Sequence, residues 1–251
     1  MLGSPSASYA ALSDRGKSRE ANEDAYAVRQ ELGLYLVTDG VGGDGNGAAA
    51  AKIVAQQFPQ FLETAPPLQR SQFAVDAKRT IANAVQELHR RTRADEGPGK
   101  TQATLVAALL NGNRGLIAHL GDRRAYLFRT QELTRLTKDH SFGQLLVDTG
   151  DMDPKDLETS PHRSQITRCI GMTGKPPPDF REFEWRQGDI LLLCSDGLTS
   201  MVSDEVIRGV LAEGHDAAAA SKLLIDRANE AGGFDNITVV VVQNSPIPLL
   251  A

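Results

Sequence analysis

The strongest constraint on the fold is a pair of apolar runs, residues 104–110 and 115–120, that are joined by only four residues, 111–114. A linker this short joins neighbouring strands that run in opposite directions, because a parallel crossover needs about a dozen residues or more. A third apolar run, residues 125–128, follows after another short connection. The sequence therefore predicts an antiparallel meander and not a unit of two parallel strands joined by a helix.

Aspartates mark the ends of several predicted strands. Asp39 and Asp196 each end an apolar run and precede a glycine. Asp235 instead begins a run, the β-branched residues 236–242. A single Asp-Gly pair is a common turn, but stacked sheets would bring these three carboxylates to one edge. Three further carboxylates stand at strand junctions, and these are Glu23, Asp24 and Asp122.

A crowd of carboxylates at one edge requires cations. Like charges repel, and each carboxylate removed from water loses hydration that only a compensating charge restores. The predicted ligands are all oxygen atoms, without a cluster of cysteine and histidine, which favours Mg²⁺ or Mn²⁺ over zinc. Gly40 follows Asp39 and would let a backbone carbonyl approach an ion closely.

Composition excludes several classes of protein. The chain carries 27 Lys and Arg against 32 Asp and Glu, a formal charge of -5, which argues against nucleic-acid binding. Its densest basic stretch, residues 89–93, is interpreted as the solvent-facing end of a helix. Cys169 and Cys194 are too few for a disulfide framework and are expected to be reduced. No apolar run approaches the roughly 20 residues of a membrane span, so a cytoplasmic protein without a membrane partner is expected.

The glycine-dense loop suggests a competing interpretation. Residues 40–45 fit the pattern G-x-G-x-x-G after a strand and before a helix, as in a dinucleotide-binding fold. That fold needs a second parallel strand soon after the helix. Residues 64–69 instead contain a Pro-Pro breaker, and a second helical pattern follows. A dinucleotide-dependent oxidoreductase is therefore disfavoured.

Taken together, the motifs resemble those of the metal-dependent protein serine/threonine phosphatases, the PPM or type 2C family, in its compact bacterial form. The family order is kept from about residue 8 to residue 243. The matching stretches are residues 13–16, 19, 22–25, 37–43, 104–106, 119–127, 136–141, 166–168, 192–198 and 235–238. This ordered set is far more specific than a lone Asp-Gly pair.

The resemblance implies an α/β (α+β) fold, a four-layer α-β-β-α sandwich with two central antiparallel sheets and a binuclear metal site at one edge. Residues 1–251 would form a single phosphatase catalytic domain. A flap-like subdomain at about residues 141–178 would shape the choice of substrate. The antiparallel meander read from the linkers agrees with this architecture.

The resemblance also implies a set of metal ligands. Asp39 would bridge two ions, Asp196 and Asp235 would complete one of them, and the Gly40 carbonyl would bind the other. Asp122, together with Asp196, would take a third and weaker ion. The expected cofactors are two Mn²⁺ or Mg²⁺ ions, with this third ion at lower occupancy.

The implied activity is hydrolysis of phosphoserine and phosphothreonine by in-line attack of a hydroxide that bridges the metals. Glu23 and Asp24 would hold metal-bound waters, and Arg19 would bind the phosphoryl group through its guanidinium fork. The expected partners are phosphorylated proteins, including a serine/threonine kinase or its substrates. The enzyme is expected to be a monomer.

The sequence departs from the family pattern at several positions. Gln102 and Ala103 replace a Gly-Thr pair, and Arg123 replaces a serine in the Gly-Asp-Ser-Arg motif. Ser200 stands where many members have an aspartate for the third ion, and Asp44 where bacterial relatives often have histidine. These changes leave open a second interpretation, a pseudophosphatase that binds phosphoproteins without hydrolysing them.

The histidines leave the general acid for the leaving group unassigned. His119 and His140 lie near the motifs but are interpreted as packed or hydrogen-bonding structural residues. His162 falls in the predicted flap, where it could contact substrate. A water molecule is the remaining candidate for the acid.

Overall fold

The computed structural model of the chain describes residues 7–42, 47–66, 70–96 and 101–244. The strands in these ranges are β1 (Ala7–Asp14), β2 (Asp24–Arg29), β3 (Leu34–Val41), β4 (Gln102–Ala103), β5 (Leu105–Asn111), β6 (Arg114–Leu120), β7 (Arg124–Arg129), β8 (Glu132–Arg135), β9 (Asp179–Glu184), β10 (Ile190–Cys194) and β11 (Ile237–Asn244). The α-helices are α1 (Gly47–Glu63), α2 (Phe73–Glu96), α3 (Phe142–Thr149), α4 (Asp196–Thr199), α5 (Asp204–Ala212) and α6 (Ala217–Glu230). No helix in the described ranges is both long and apolar enough to cross a membrane.

The strands form two sheets. Sheet one has the order β1-β11-β10-β7-β8, and sheet two has the order β2-β3-β5-β6-β9, with β4 paired to β3. Neighbouring strands are antiparallel throughout these two orders. The short linker predicted to join antiparallel strands does so, because Asn111 and Arg114 pair across the β5–β6 turn. The antiparallel meander is confirmed.

The two sheets pack face to face, with helices on the outer face of each. α1 and α2 cover sheet two, and α4, α5 and α6 cover sheet one. Between the sheets lies a third apolar layer that includes Tyr35, Trp185, Leu191 and Val240, all of them buried. The predicted four-layer α-β-β-α sandwich is confirmed.

This topology excludes the dinucleotide-binding fold. β3 is followed by two successive helices, and its neighbours β2 and β5 are antiparallel to it. A dinucleotide fold would place a parallel strand directly after the first helix. Most of the glycine loop, including Asp44, lies outside the described residues.

Local signals determine where several helices begin and end. Ser203 and Asp216 accept a hydrogen bond from a backbone N–H in the first turn of α5 and α6, as N-cap residues do. Ser141 caps α3 in the same way, and Gly150 ends that helix in the left-handed conformation, with φ 81°. Each of these helices thus begins where a side-chain oxygen satisfies a backbone N–H of the first turn.

Two features of the chain differ from the sequence-based interpretation. The stretch 89–93 is only partly solvent-facing, because Arg90 and Arg91 reach solvent but His89 and Thr92 are buried, and α2 continues past it to Glu96. His89 Nδ1 accepts a hydrogen bond from the Gly171 N–H at 3.0 Å and so ties α2 to the chain before β9. Strand β9 itself was not predicted.

Candidate metal centre

Strand ends bring the predicted carboxylates to one edge of the sandwich. Asp24 begins β2 and lies directly opposite Asp39 in β3. Asp196 follows β10, and Asp235 precedes β11, its neighbour in sheet one. Asp122 lies in the three-residue connection from β6 in sheet two to β7 in sheet one. Like charges directly opposite each other destabilise an antiparallel pair, so this edge requires positive charge.

The end of β3 is held in place by Thr104. The Asp39 N–H donates to Thr104 Oγ1 at 3.1 Å, and Thr38 Oγ1 donates to the Thr104 carbonyl at 2.6 Å. Gly40 then meets the start of α1 so closely that a Cβ atom on it would lie 2.0 Å from the Gly47 carbonyl oxygen. Only glycine fits at position 40, and its backbone is thereby available to a ligand at this edge.

Asn236 fastens the segment that carries Arg19 and Glu23. It is buried, and its Nδ2 donates to the carbonyls of Arg15 and Ala21 at 2.8 and 3.0 Å. Its Oδ1 accepts the Glu23 N–H at 2.8 Å. One side chain therefore ties three points of the loop between β1 and β2. The sequence shows Asn236 beside Asp235 but gives no sign of this role.

Arg19 lies at the open mouth of the centre. Its guanidinium is half exposed, and Nη2 donates to Asp235 Oδ2 at 2.9 Å. The hydrogen bond and the charge of Asp235 raise the pKa of Arg19. The side chain is thus a permanent cation, anchored at one nitrogen and open to solvent, as a ligand for a phosphoryl group needs to be.

Burial makes ionisation of the acidic groups unfavourable. Removal from water raises the pKa of both Asp24 and Asp122 to about 6 and raises that of Asp39 well above its ordinary value. The charge of Arg123 opposes this rise at all three, while Asp196 adds to it. The positive charge near these carboxylates is therefore too small to keep their pKa values in the ordinary range.

Arg123 lies in the middle of the cluster. Its side chain is only 3% exposed, with Nη2 2.7 Å from Asp39 Oδ2 and 3.1 Å from Asp122 Oδ1, and with Nη1 hydrogen-bonded to Asp196 Oδ1. Burial alone would lower its pKa, but the surrounding carboxylates raise it well above the ordinary value. Sequence reasoning noted Arg123 only as a departure from a motif and missed its position.

The residues at this edge fit a hard divalent cation. Asp24 Oδ2 and Asp122 Oδ1 are buried and accept no hydrogen bond, although Arg123 lies close enough to Asp122 for an ion pair. The unpaired oxygen of Asp24 requires a partner, whereas the charge of Asp122 is already opposed by Arg123. Every donor is a carboxylate or carbonyl oxygen, the set that Mg²⁺ and Mn²⁺ prefer. The site thus combines an unsatisfied ligand with the right chemistry.

A second group of titratable side chains lies beside the centre. Among the described residues, ligand atoms of His119, His140 and Asp179 lie within 4.8 Å of one another. The two histidine rings stack at 4.5 Å. His140 Nδ1 accepts the Gly121 N–H at 3.0 Å, and Nε2 faces Asp179 Oδ2 at 3.1 Å. Both histidines are thus buried and hydrogen-bonded, as predicted.

His140 should make folding stability depend on pH. Burial, the stacked His119 and the charge of Arg168 lower the pKa of His140 to about 4, and Asp179 partly opposes this shift. This pKa lies below the value of about 6.5 that histidine has in the unfolded chain. The stabilisation by neutral His140 is therefore complete above about pH 6.5 and is lost as the pH falls toward 4. In His140→Asn the amide oxygen can accept the Gly121 N–H without titrating. The unfolding free energy of the wild type, minus that of the variant, should fall by about 2 kcal/mol from pH 7.5 to pH 5 in urea titrations. An unchanged difference would contradict this role.

Comparison with known proteins identifies the family. The family model described as protein phosphatase 2C matches residues 15–229. The chain therefore belongs to the protein phosphatase 2C family, as its motifs predict.

Individual relatives agree with this assignment. The serine/threonine protein phosphatase PstP of Mycobacterium tuberculosis is 41% identical over 239 residues, which are 94% of this chain and 44% of PstP. This chain thus spans less than half of PstP. The serine/threonine phosphatase stp of Listeria monocytogenes is 31% identical over 234 residues, 92% of this chain and 93% of stp.

Solved structures extend the agreement to three dimensions. The catalytic domain of PstP in complex with two manganese ions superposes with a TM-score of 0.80 at 33% identity, covering 94% of this chain and 97% of that one. The Mycobacterium tuberculosis phosphatase PstP/Ppp gives a TM-score of 0.85 at 34% identity, covering 96% of this chain and 99% of that one. The chain thus shares its fold with these two phosphatase structures, one of which holds two manganese ions.

Proposed function

We propose that this chain is a metal-dependent protein phosphatase that hydrolyses phosphoserine and phosphothreonine. The observation that carries the proposal is the convergence of six carboxylates and the Gly40 backbone at one edge of the sandwich, beside a half-exposed arginine. The carboxylates are Glu23, Asp24, Asp39, Asp122, Asp196 and Asp235. The family assignment and the names of the relatives support the same substrates.

The proposed ligands follow the positions of the side chains. Asp39 lies in β3 of sheet two opposite Asp24, shares the Arg123 guanidinium with Asp196, and would bridge two ions. Asp196 and Asp235 come from adjacent strands of sheet one and would complete one ion, while the Gly40 carbonyl would bind the other. Glu23 and Asp24 would hold the waters around them. When bound, Mn²⁺ or Mg²⁺ would lower the pKa of the water that attacks phosphorus.

Arg19 would bind the substrate, and the two cysteines would take no part in the reaction. Arg19 would take two phosphoryl oxygens with its guanidinium and leave the ester oxygen toward solvent, where water can protonate the departing alkoxide. Cys169 and Cys194 are free and buried, and burial raises the pKa of both thiols to about 12, so neither serves as a nucleophile. The reaction therefore needs no phosphoenzyme.

Residues 141–178 are proposed to act as the flap of a single catalytic domain. α3 presents the exposed side chains of Phe142 and Leu145, and Arg163 reaches from this segment to Ser200 Oγ at 2.5 Å. Ser200 lies four residues beyond Asp196. A segment that ends this close to the centre can select among substrates by contacts outside the phosphoryl group.

The proposed partners are a serine/threonine kinase and the proteins that it phosphorylates, in a signalling role, with the phosphatase acting as a monomer. A cytoplasmic location is proposed on the two unpaired cysteines, since secreted domains tend to oxidise theirs. The net charge of -5 gives no support to a nucleic-acid partner.

The direct test is hydrolysis of p-nitrophenyl phosphate and of a phosphothreonine peptide with Mn²⁺, with Mg²⁺ and with EDTA. Release of phosphate from both substrates is expected with either ion, and EDTA should abolish it, because the carboxylates then lack the charge that orders water and phosphate. Restored activity after Mn²⁺ is added back to the EDTA-treated protein is the control for irreversible damage. Mn²⁺ binding without any hydrolysis would instead support the pseudophosphatase.

A further inference from the structure

Arg123 brings a permanent positive charge into the carboxylate cluster. It follows Asp122 in the connection between the two sheets, so its backbone position is fixed by β6 on one side and β7 on the other. Its two terminal nitrogens contact three aspartates, namely Asp39 in β3, Asp122 in the same connection and Asp196 at the start of α4. The Nε atom is buried and makes no hydrogen bond. The guanidinium is therefore held by these carboxylates.

Such burial is stable only because of the carboxylates. A guanidinium taken out of water loses its hydration, and paired carboxylates must replace it. Conversely, each of the three aspartates would lose its nearest cation if Arg123 were neutral. The arginine and the cluster thus depend on each other in the folded chain.

Charge balance indicates how many ions the cluster needs. When ionised, the six carboxylates of the centre carry six negative charges, and Arg19 and Arg123 balance two of these. Two divalent ions balance the remaining four. In the absence of substrate, a third divalent ion would leave the buried edge with excess positive charge, and it would lie against the Arg123 guanidinium at Asp122 and Asp196.

The surroundings of Asp122 and Asp196 point the same way. These two residues line a small cleft together with Arg163 and Ser200. A third ion would bind most tightly if position 200 carried a carboxylate. Ser200 has a hydroxyl there instead, and Arg163 already donates a hydrogen bond to it. Arg124 and Asp139, which form an ion pair at 2.8 Å, also line the cleft, so among the described residues that line it Arg163 carries the one guanidinium that is not balanced by Asp139.

We propose that the Arg123 guanidinium is a resident cation that takes the place of a third metal ion at Asp122 and Asp196. The inference rests on the proposed function, since it assumes that two ions bind at Asp39, Asp196, Asp235 and Gly40. It assigns the arginine the task of neutralising Asp122 without an ion. The centre then functions with two ions and does not depend on a third.

The test is the number of Mn²⁺ ions bound per chain, measured by calorimetric titration of EDTA-stripped protein. The wild type should bind two ions. Arg123→Ser and Arg123→Gln should each bind one additional ion, because Asp122 and Asp196 lose their cation. Arg123→Lys keeps the charge and should restore two. Arg129→Ser is the matched control, since Arg129 ends β7, pairs with Asp189 and lies away from the centre.

A second readout is the melting temperature in EDTA. Without metal, Arg123→Gln should melt below the wild type, and Mn²⁺ should raise its melting temperature by more than it raises that of the wild type. The glutamine variant retains more of the side chain than the serine variant does, so the measurement remains possible if the serine variant fails to fold.

The outcomes separate this inference from the proposed function. Three ions in the wild type, two in both neutral variants, or none in the wild type would each overturn the role of Arg123. Two ions in the wild type and three in Arg123→Gln, with no hydrolysis by either protein, would refute the phosphatase proposal and leave the resident cation standing.

Discussion

Asp39→Asn is expected to abolish both phosphate release and tight Mn²⁺ binding. Loss of a residue that only supports a metal ligand typically costs about 10- to 100-fold in affinity or activity. A carboxylate proposed to touch two ions should cost more, so hydrolysis of p-nitrophenyl phosphate should fall by more than about 100-fold. Calorimetric titration with Mn²⁺ should show that both of the tight binding events are weakened.

The metal-free fold should tolerate this change. The amide has the size of the carboxylate, and burial already disfavours the charged form of Asp39. The loss of its ion pair with Arg123 is offset by relief from the charges of Asp24 and Asp196. Melting temperatures in EDTA should therefore be similar for the variant and the wild type.

Asp189→Asn is the matched control for this variant. Asp189 is also an aspartate next to a strand. It precedes β10 and so lies at the opposite end of that strand from Asp196, which belongs to the proposed metal centre. It is buried and paired with Arg129, so its loss should lower stability and leave Mn²⁺ binding intact. Tight Mn²⁺ binding or near-normal hydrolysis by Asp39→Asn would refute the bridging assignment.

Asn236→Ala is expected to combine a loss of stability with a loss of activity. The substitution removes three hydrogen bonds and leaves the Glu23 N–H and two carbonyls without that partner. At about 1 kcal/mol or more for each, the free energy of unfolding should fall by roughly 3 kcal/mol. Because Arg19 and Glu23 would lose their common anchor, hydrolysis should also fall by about 100-fold, as expected for a misplacement near 1 Å.

The two losses can be measured separately. Urea unfolding gives the stability, and kinetics well below the melting temperature give the activity of the folded variant. A raised KM is expected, since Arg19 would bind the phosphoryl group less well, while Mn²⁺ affinity should change little. Asn229→Ala, which removes one hydrogen bond to Asp14 near the same loop, is the control. Unchanged kinetics in folded Asn236→Ala would show that the loop needs no such anchor.

The main architecture could be predicted because its signals are local. The four-residue link before Arg114 requires antiparallel strands, and Ser203 and Asp216 mark helix starts by their own hydrogen bonds. Asp39 and Asp196 were placed at one edge by the simple fact that each ends an apolar run. These inferences need only the residues next to them in sequence.

Features that depend on distant partners could not be predicted in this way. β9 is rich in charge, and its Phe183 fits the sheet because Gly115 in β6 leaves room for the ring. The position of Arg123 among three carboxylates depends on the register of strands in both sheets. His89 is buried because Gly171, far along the chain, donates to it. No local pattern contains this information.

The apolar layer between the sheets sets a dimension of the metal centre. Asp24 and Asp39 belong to sheet two, whereas Asp196 and Asp235 adjoin strands of sheet one. The layer, which includes Val37 close to Asp39 and Leu193 close to Asp196, sets the distance between the strands from which these two pairs extend. The volume of these hydrophobic side chains therefore influences the spacing of the proposed metal ligands, although the side chains themselves are not in contact with the substrate.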